Sequence, residues 1–274
     1  IALYKNPELV EAVHLSYYEA GADIVTSASY QATVDGFEKK GFSKEEAASL
    51  IQSSIALVQD ARDEYLFSHE EENRPAPLTA ASVGPYGAYL ADGSEYRGDY
   101  GKTREELADF HRERIHILAE AGPDVFACET IPCLFEALAE TDVLSEIPGA
   151  EAWISFSCKD GLHTCGGDLI SDCAKALKDI KEVAAIGINC TAPQYVESLI
   201  KEIVKVTDKP VVVYPNSGED YDAGSKSWEG SAAKYEEYVK IWYEAGARLI
   251  GGCCRTGPED IRKVAAFRKS LIEK

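Results

Sequence analysis

The chain contains no methionine and begins with Ile1. Together these lead to the expectation that an initiating segment is missing. Basic residues are scarce: 28 Lys and Arg stand against 47 Asp and Glu, a formal net charge of −19. Such a balance repels phosphate backbones and anionic lipid, and no local basic run offsets it, so neither nucleic acid nor a membrane surface is expected as a partner. No run is long and apolar enough to span a bilayer, and no secretory leader opens the chain. The eight cysteines lack the dense spacing of a secreted disulfide framework. A reducing cytoplasm is the expected compartment. Pro- or Ser-rich linkers are also missing, so residues 1–274 are expected to form one domain.

What is present is a regular alternation. Short apolar runs fall near residues 23–29, 78–84, 125–130, 152–158, 184–190, 211–215 and 248–253, without two-residue alternation, as in parallel strands covered on both faces. Helical patterns separate them. A phrase of the form Glu-Ala-Gly recurs at Gly21, Gly122 and Gly246, each time between a helical pattern and a strand, where glycine suits the left-handed position that ends a helix. Asn6 before Pro7 reads as a helix start. Ser43 with Glu46, Thr103 with Glu106 and Thr256 with Glu259 have the spacing of capping boxes. Seven such strands alternating with helices resemble a (β/α)₈ TIM barrel lacking its first strand. A doubly wound open sheet is the alternative.

In a barrel, the carboxyl ends of the strands carry the chemistry. Here they place Tyr30 and Gln31, Glu129 and Thr130, Asn189 and Cys190, Asn216 to Glu219, and Cys253 and Cys254 on one rim. Three thiolates converging from two strand ends make a metal site with one position open. Two thiolates on a tetrahedral zinc ion sit about 3.8 Å apart, and adjacent strand residues point oppositely, so Cys253 and Cys254 can share an ion only where the strand is already turning. Gly251 and Gly252 permit that turn. A vicinal disulfide or redox switch is the other reading of the pair. Cys128, Cys158 and Cys173 fit small buried hydrophobes, and Cys165 a loop residue. His14, His111 and His116 fall in helical patterns and are expected at the surface or at an interface. A long loop, residues 84–100, mixes four tyrosines with three carboxylates, a composition suited to an organic cation.

Taken together, residues 26–31, the 84–100 loop, Cys128-Glu129-Thr130, Gly187-Ile188-Asn189-Cys190, residues 214–219 and Gly251 to Thr256 resemble the homocysteine S-methyltransferase family, nearly end to end. The loop is more similar to the branch using S-methylmethionine or S-adenosylmethionine than to the betaine-using branch. The resemblance implies a barrel holding zinc on Cys190, Cys253 and Cys254, with Glu129 recognising the homocysteine amino group. It also implies transfer of a methyl group from a sulfonium donor to homocysteine, giving methionine. Candidate substrate contacts are Glu129, Asn189, Asn216, Ser217, Tyr86 and Tyr30. The two asparagines could equally satisfy loop backbone, and Glu129 could be a rim ion pair.

Two departures stand out: nothing here matches the family's first strand with its Asp-Gly-rich motif, and residues 161–168 differ from the usual loop. Selenocysteine as acceptor or betaine as donor is the nearest alternative. A glycosidase using Glu129 and Glu219 would leave the rim cysteines unexplained, and a nonenzymatic thiol or zinc sensor would leave the loop without a use.

Overall fold

The computed structural model describes residues 2–69, 74–222, 227–229 and 235–272. Its centre is a curled sheet of seven parallel strands. In chain order the strands are β1 (Ile24–Thr26), β2 (Leu78–Val83), β3 (Val125–Ile131), β4 (Ala152–Phe156), β5 (Val183–Asn189), β6 (Val211–Tyr214), a hairpin of β7 (Asp220–Asp222) with β8 (Ser227–Glu229), and β9 (Ala247–Ile250). The sheet order is β1-β2-β3-β4-β5-β6-β9, sequential and without the reversal that a doubly wound sheet requires. The winding is that of a TIM-like barrel, and the strands found are the seven expected. The antiparallel hairpin between β6 and β9 was not foreseen.

The helices are α1 (Ala2–Lys5), α2 (Pro7–Glu19), α3 (Val34–Glu38), α4 (Lys44–Ser68), α5 (Tyr86–Leu90), α6 (Arg104–Glu120), α7 (Leu134–Leu144), α8 (Ile170–Leu177), α9 (Pro193–Val204), α10 (Tyr235–Ala245) and α11 (Pro258–Ile272). Among the described residues none is long and apolar enough to cross a membrane. The capping boxes at Ser43 and Thr103 both form, each worth about 1 kcal/mol. The third does not, because the Thr256 hydroxyl turns back to donate to the Cys253 carbonyl at 2.8 Å. The three repeated glycines hold φ of 94°, 69° and 126°, as the helix-to-strand reading required.

Both faces of the strands are apolar, for different reasons. Outward residues such as Val83, Cys128, Ile154, Ile186 and Val213 join the main core against the helices. Inward residues Ala80, Ala127, Trp153, Ala185 and Val212 form a separate small cluster, in which alanines leave room for the indole. Two residues further along each strand, the inward positions turn polar: Ser82, Glu129, Ser155, Asn189 two further still, and Tyr214. At the remaining position of that layer stands Gly187, where a Cβ would lie 1.6 Å from the Val212 carbonyl oxygen, so only glycine lets β5 approach β6. An apolar floor therefore carries a polar layer directly beneath the rim.

Candidate active site

Cys190 follows the last residue of β5, and Cys253 and Cys254 lie in the turn after β9. The end of β6 separates and holds them. The Cys190 N–H donates to the Tyr214 carbonyl at 3.3 Å, the Cys253 N–H to the Pro215 carbonyl at 2.9 Å, and the Cys254 N–H to Asn216 Oδ1 at 3.3 Å. Asn216 N–H in turn donates to the Thr191 carbonyl, and Ser217 N–H to the Cys254 carbonyl, each at 3.0 Å. The backbone is forced at two points, with φ of 49° at Cys190 and 64° at Arg255. Non-glycine residues hold such angles at about 1–3 kcal/mol each, and only where the surroundings fix them.

The three sulfurs converge. Cys190 Sγ lies 3.2 Å from Cys253 Sγ and 3.6 Å from Cys254 Sγ, and the latter two are 4.0 Å apart. These separations bracket the spacing of about 3.8 Å that three thiolates take on a zinc-sized tetrahedral ion. Among the described residues this is the only cluster of His, Cys, Asp or Glu side chains with metal-binding spacing, and Cys165 is not in it. Hydrogen bonds from Cys190 and Cys253 pull the Cys254 thiol far below the usual thiol range, while bonds to Cys190 and Cys254 push Cys253 up. Thiols this close oppose one another's ionisation, so ionising all three calls for a cation.

Glu129 sits beside it in the polar layer. Its carboxylate accepts from the Ser82 hydroxyl, and no cation among the described residues pairs with it, so it is not the rim ion pair that sequence allowed. Burial raises its pKa, opposed by the Ser82 and Tyr214 hydroxyls. Tyr214 Oη lies 2.6 Å from Ser155 Oγ and accepts from Trp153 Nε1 at 2.9 Å. A cavity of about 540 Å³ lies between β1, β9 and helices α2 and α11 and reaches the polar layer, lined among others by Tyr17, Glu129, Trp153, Tyr214, Cys253 and Phe267.

Both asparagines make framework bonds. Asn189 Oδ1 accepts from the Thr130 N–H at 2.7 Å and from Ser155 Oγ at 2.9 Å, and its Nδ2 donates to Thr130 Oγ1 at 2.8 Å. Asn216 holds Cys254, and Ser217 Oγ donates to Glu219 Oε2 at 2.9 Å, which also pairs with Arg255 at 3.1 Å. Glu219 is therefore committed to Arg255 in the turn beside the thiols. Tyr30 is half-buried with its ring against Gly84, and the loss of solvent suppresses its acidity.

Tyr86 makes its ring contacts elsewhere: its ring meets Phe110 at 4.9 Å and Tyr100 at 5.3 Å. The tyrosine that reaches the thiols is Tyr96, whose hydroxyl lies 3.3 Å from Cys190 Sγ. Four tyrosines in one loop were visible in sequence, but which one turns inward was not. The histidine expectation needs correction. His14 and His111 are buried, because their helix faces pack inward; His116 is half-buried at the surface, 3.1 Å from Glu146. Cys128, Cys158 and Cys173 are buried as expected.

Comparison with known proteins agrees with this geometry. A family model described as homocysteine S-methyltransferase matches residues 1–267. The chain is 53% identical over 272 residues to homocysteine S-methyltransferase YbgG of Bacillus subtilis, covering 98% of this chain and 86% of that one. It is 48% identical over 289 residues to a selenocysteine Se-methyltransferase of Brassica oleracea var. italica, covering 99% and 82%. The metallated form of the homocysteine methyltransferase MmuM from Escherichia coli matches with a TM-score of 0.88 at 42% identity, over 97% of this chain and 86% of that chain.

Proposed function

Because the chain belongs to the homocysteine S-methyltransferase family, and is an enzyme that methylates homocysteine to give methionine, we propose that its metal is zinc on Cys190, Cys253 and Cys254 and that its donor is a sulfonium, S-methylmethionine or S-adenosylmethionine. The observation that carries this reading is the convergence of three sulfurs, 3.2–4.0 Å apart, beside a buried carboxylate that pairs with no cation among the described residues.

When bound, zinc supplies the positive charge that keeps the acceptor thiol ionised at neutral pH. An unassisted thiol of pKa about 8.5 is only about 3% thiolate at pH 7, so full ionisation is worth about 30-fold, or 2 kcal/mol, less what lowered basicity removes. Activation alone is modest. Positioning must supply the larger share, where an oriented pair is worth roughly 7–11 kcal/mol.

The chain's own residues divide that task. Glu129 offers the homocysteine ammonium a buried carboxylate, and burial strengthens the attraction over that in bulk water. Tyr214 and Ser82 fix the carboxylate's orientation. Asn189 holds Thr130, and with it the strand end that carries Glu129. Asn216 and Ser217 hold the Cys254 backbone. Tyr30 packs its ring against Gly84 at the root of the 84–100 loop, whose aromatic and acidic groups suit a sulfonium cation until transfer neutralises it. Sulfur then attacks the methyl carbon in line, and the departing thioether takes the electron pair of the broken bond. The free state of the eight cysteines suits a compartment that keeps thiols reduced, the cytoplasm in this reading.

The test is methionine formation from homocysteine with S-methylmethionine, S-adenosylmethionine and betaine in parallel, with metal-loaded and chelated protein. Turnover with a sulfonium that chelation abolishes supports the proposal. Metal-independent turnover, or turnover with betaine alone, overturns it. Selenocysteine belongs in the same assay as a competing acceptor, given the likeness to the Brassica enzyme.

A further inference from the structure

Outside the thiol site, four ionisable side chains lie buried together between α6 and α7: His111 and Arg114 from one helix, Glu136 and Glu140 from the other. They form a directed chain. Arg114 Nη2 donates to His111 Nδ1 at 2.7 Å, which leaves Nε2 as the protonated nitrogen of that ring. His111 Nε2 donates to Glu136 Oε1 at 3.0 Å. Burial, and then Arg114, lowers the His111 pKa to about 4, so the ring is neutral and its tautomer fixed. Burial, and then Glu136, pushes the Glu140 carboxyl well above the usual range, 4.0 Å from the guanidinium.

Stability does not account for such a cluster. Arg114 Nε and Nη1 find no hydrogen-bond partner, and apolar side chains of the same volume commonly serve a core as well or better than buried ions. What the cluster does deliver is two bonds that leave it, and both end at the root of the 84–100 loop. Arg114 Nη2 donates to the Gly84 carbonyl, and Glu136 Oε1 accepts the Tyr86 N–H at 2.5 Å. The loop carries that placement onward through backbone contact. A Cβ on Gly87 would lie 2.3 Å from the Glu95 nitrogen, so α5 rests directly on the helical turn Ser94–Tyr96. That turn brings the Tyr96 hydroxyl to Cys190 Sγ.

We infer that Glu136, His111 and Arg114 are positioning residues for methyl transfer, clamping the root of the 84–100 loop so that Tyr96 and its neighbours are held over the thiol centre. None of the three touches the thiols, and each acts through Gly84 or Tyr86. The inference rests on the thiol cluster being the reacting centre, and its first readout does not need turnover.

The experiment is hydrogen exchange of the metal-loaded enzyme, resolved to single amides, on the native chain and on the variants Glu136→Leu and Glu136→Gln, with Michaelis constants for both substrates. In the native chain the Tyr86 amide should exchange far more slowly than those of residues 91–93. Glu136→Leu removes the acceptor, and exchange across residues 86–96 should rise about tenfold while α6 and α7 stay protected, the effect of losing one buried hydrogen bond. The KM for the donor should rise about as much, with that for homocysteine unchanged. Glu136→Gln keeps a carbonyl oxygen at Oε1 and should restore both. A folded Glu136→Leu with unchanged loop exchange overturns the inference, as does a Glu136→Gln no better than leucine. Should the leucine variant not fold, rapid exchange of the native Tyr86 amide overturns it and slow exchange supports it. Absence of sulfonium turnover would count against the donor reading and leave the exchange result standing.

Discussion

Thr130 and Asn189 are bonded to each other twice, backbone N–H to Oδ1 at 2.7 Å and Nδ2 to Oγ1 at 2.8 Å, and Thr130 holds a φ of 63° that β-branched residues rarely adopt. The pairing register between β3 and β4 shifts at the same place. A bulge of this kind re-aims neighbouring side chains, here Glu129. Asn189→Leu is therefore expected to lower the unfolding free energy by about 2–4 kcal/mol from lost buried hydrogen bonds, net of the strain it releases at Thr130. Thermal melts would show the loss, and a rise in homocysteine KM would show that Glu129 had moved.

Cys254→Ser replaces one of the three converging sulfurs. It is expected to abolish both metal retention and turnover, while Cys165→Ser, outside the cluster, leaves both unchanged. Metal content after gel filtration measures the first effect independently of rate. A Cys254→Ser protein with full metal and full activity would sink the proposed mechanism.

Glu129→Gln should weaken homocysteine binding by 30-fold or more, roughly the 2–5 kcal/mol lost on truncating one partner of a buried charge pair. Its effect on the substrate-free protein has the opposite sign. Burial raises the Glu129 pKa in the folded state, so its favourable contribution is complete below the unfolded value and is lost as pH rises through the folded one. The substrate-free variant should then melt above the native enzyme at pH 8 and match it near pH 4. In the native enzyme, homocysteine affinity should fall as pH drops through that raised pKa.

Tyr96→Phe removes the hydroxyl beside Cys190 while keeping the ring. A bond to a charged sulfur is worth about 1.5–3 kcal/mol, so kcat/KM should fall at least tenfold. Tyr86→Phe, whose ring packs among aromatics away from the thiols, should change it little. Equal losses in the two variants would show that the loop acts through bulk alone.

Much of this architecture was readable in the chain. All seven parallel strands and the thiol turn were, because apolar runs and glycines act locally on the backbone. What escaped depended on direction in space. His111 sits in a helical pattern like His116, yet one faces α7 and the other solvent, and nothing in their local sequence separates them. Asn189 and Asn216 read as substrate ligands or framework equally well until their partners, 59 residues away at Thr130 and 38 away at Cys254, were in view. The Thr256 capping box failed for a similar reason, since its hydroxyl found a nearer acceptor in the thiol turn. The β7–β8 hairpin lies in a polar stretch with no apolar alternation to announce it.

The placement of the thiols has one further implication. Cys190 and the Cys253-Cys254 pair come from strands that are not neighbours, and only Tyr214, Pro215 and Asn216 at the end of β6 stand between them. Two of the three bonds that set the gap are to peptide carbonyls, which any residue supplies. The tripeptide therefore works as a ruler whose length matters more than its lettering. Substitution at Pro215 should be tolerated, whereas inserting one residue there would part the sulfurs by up to about 3.3 Å without altering any of them.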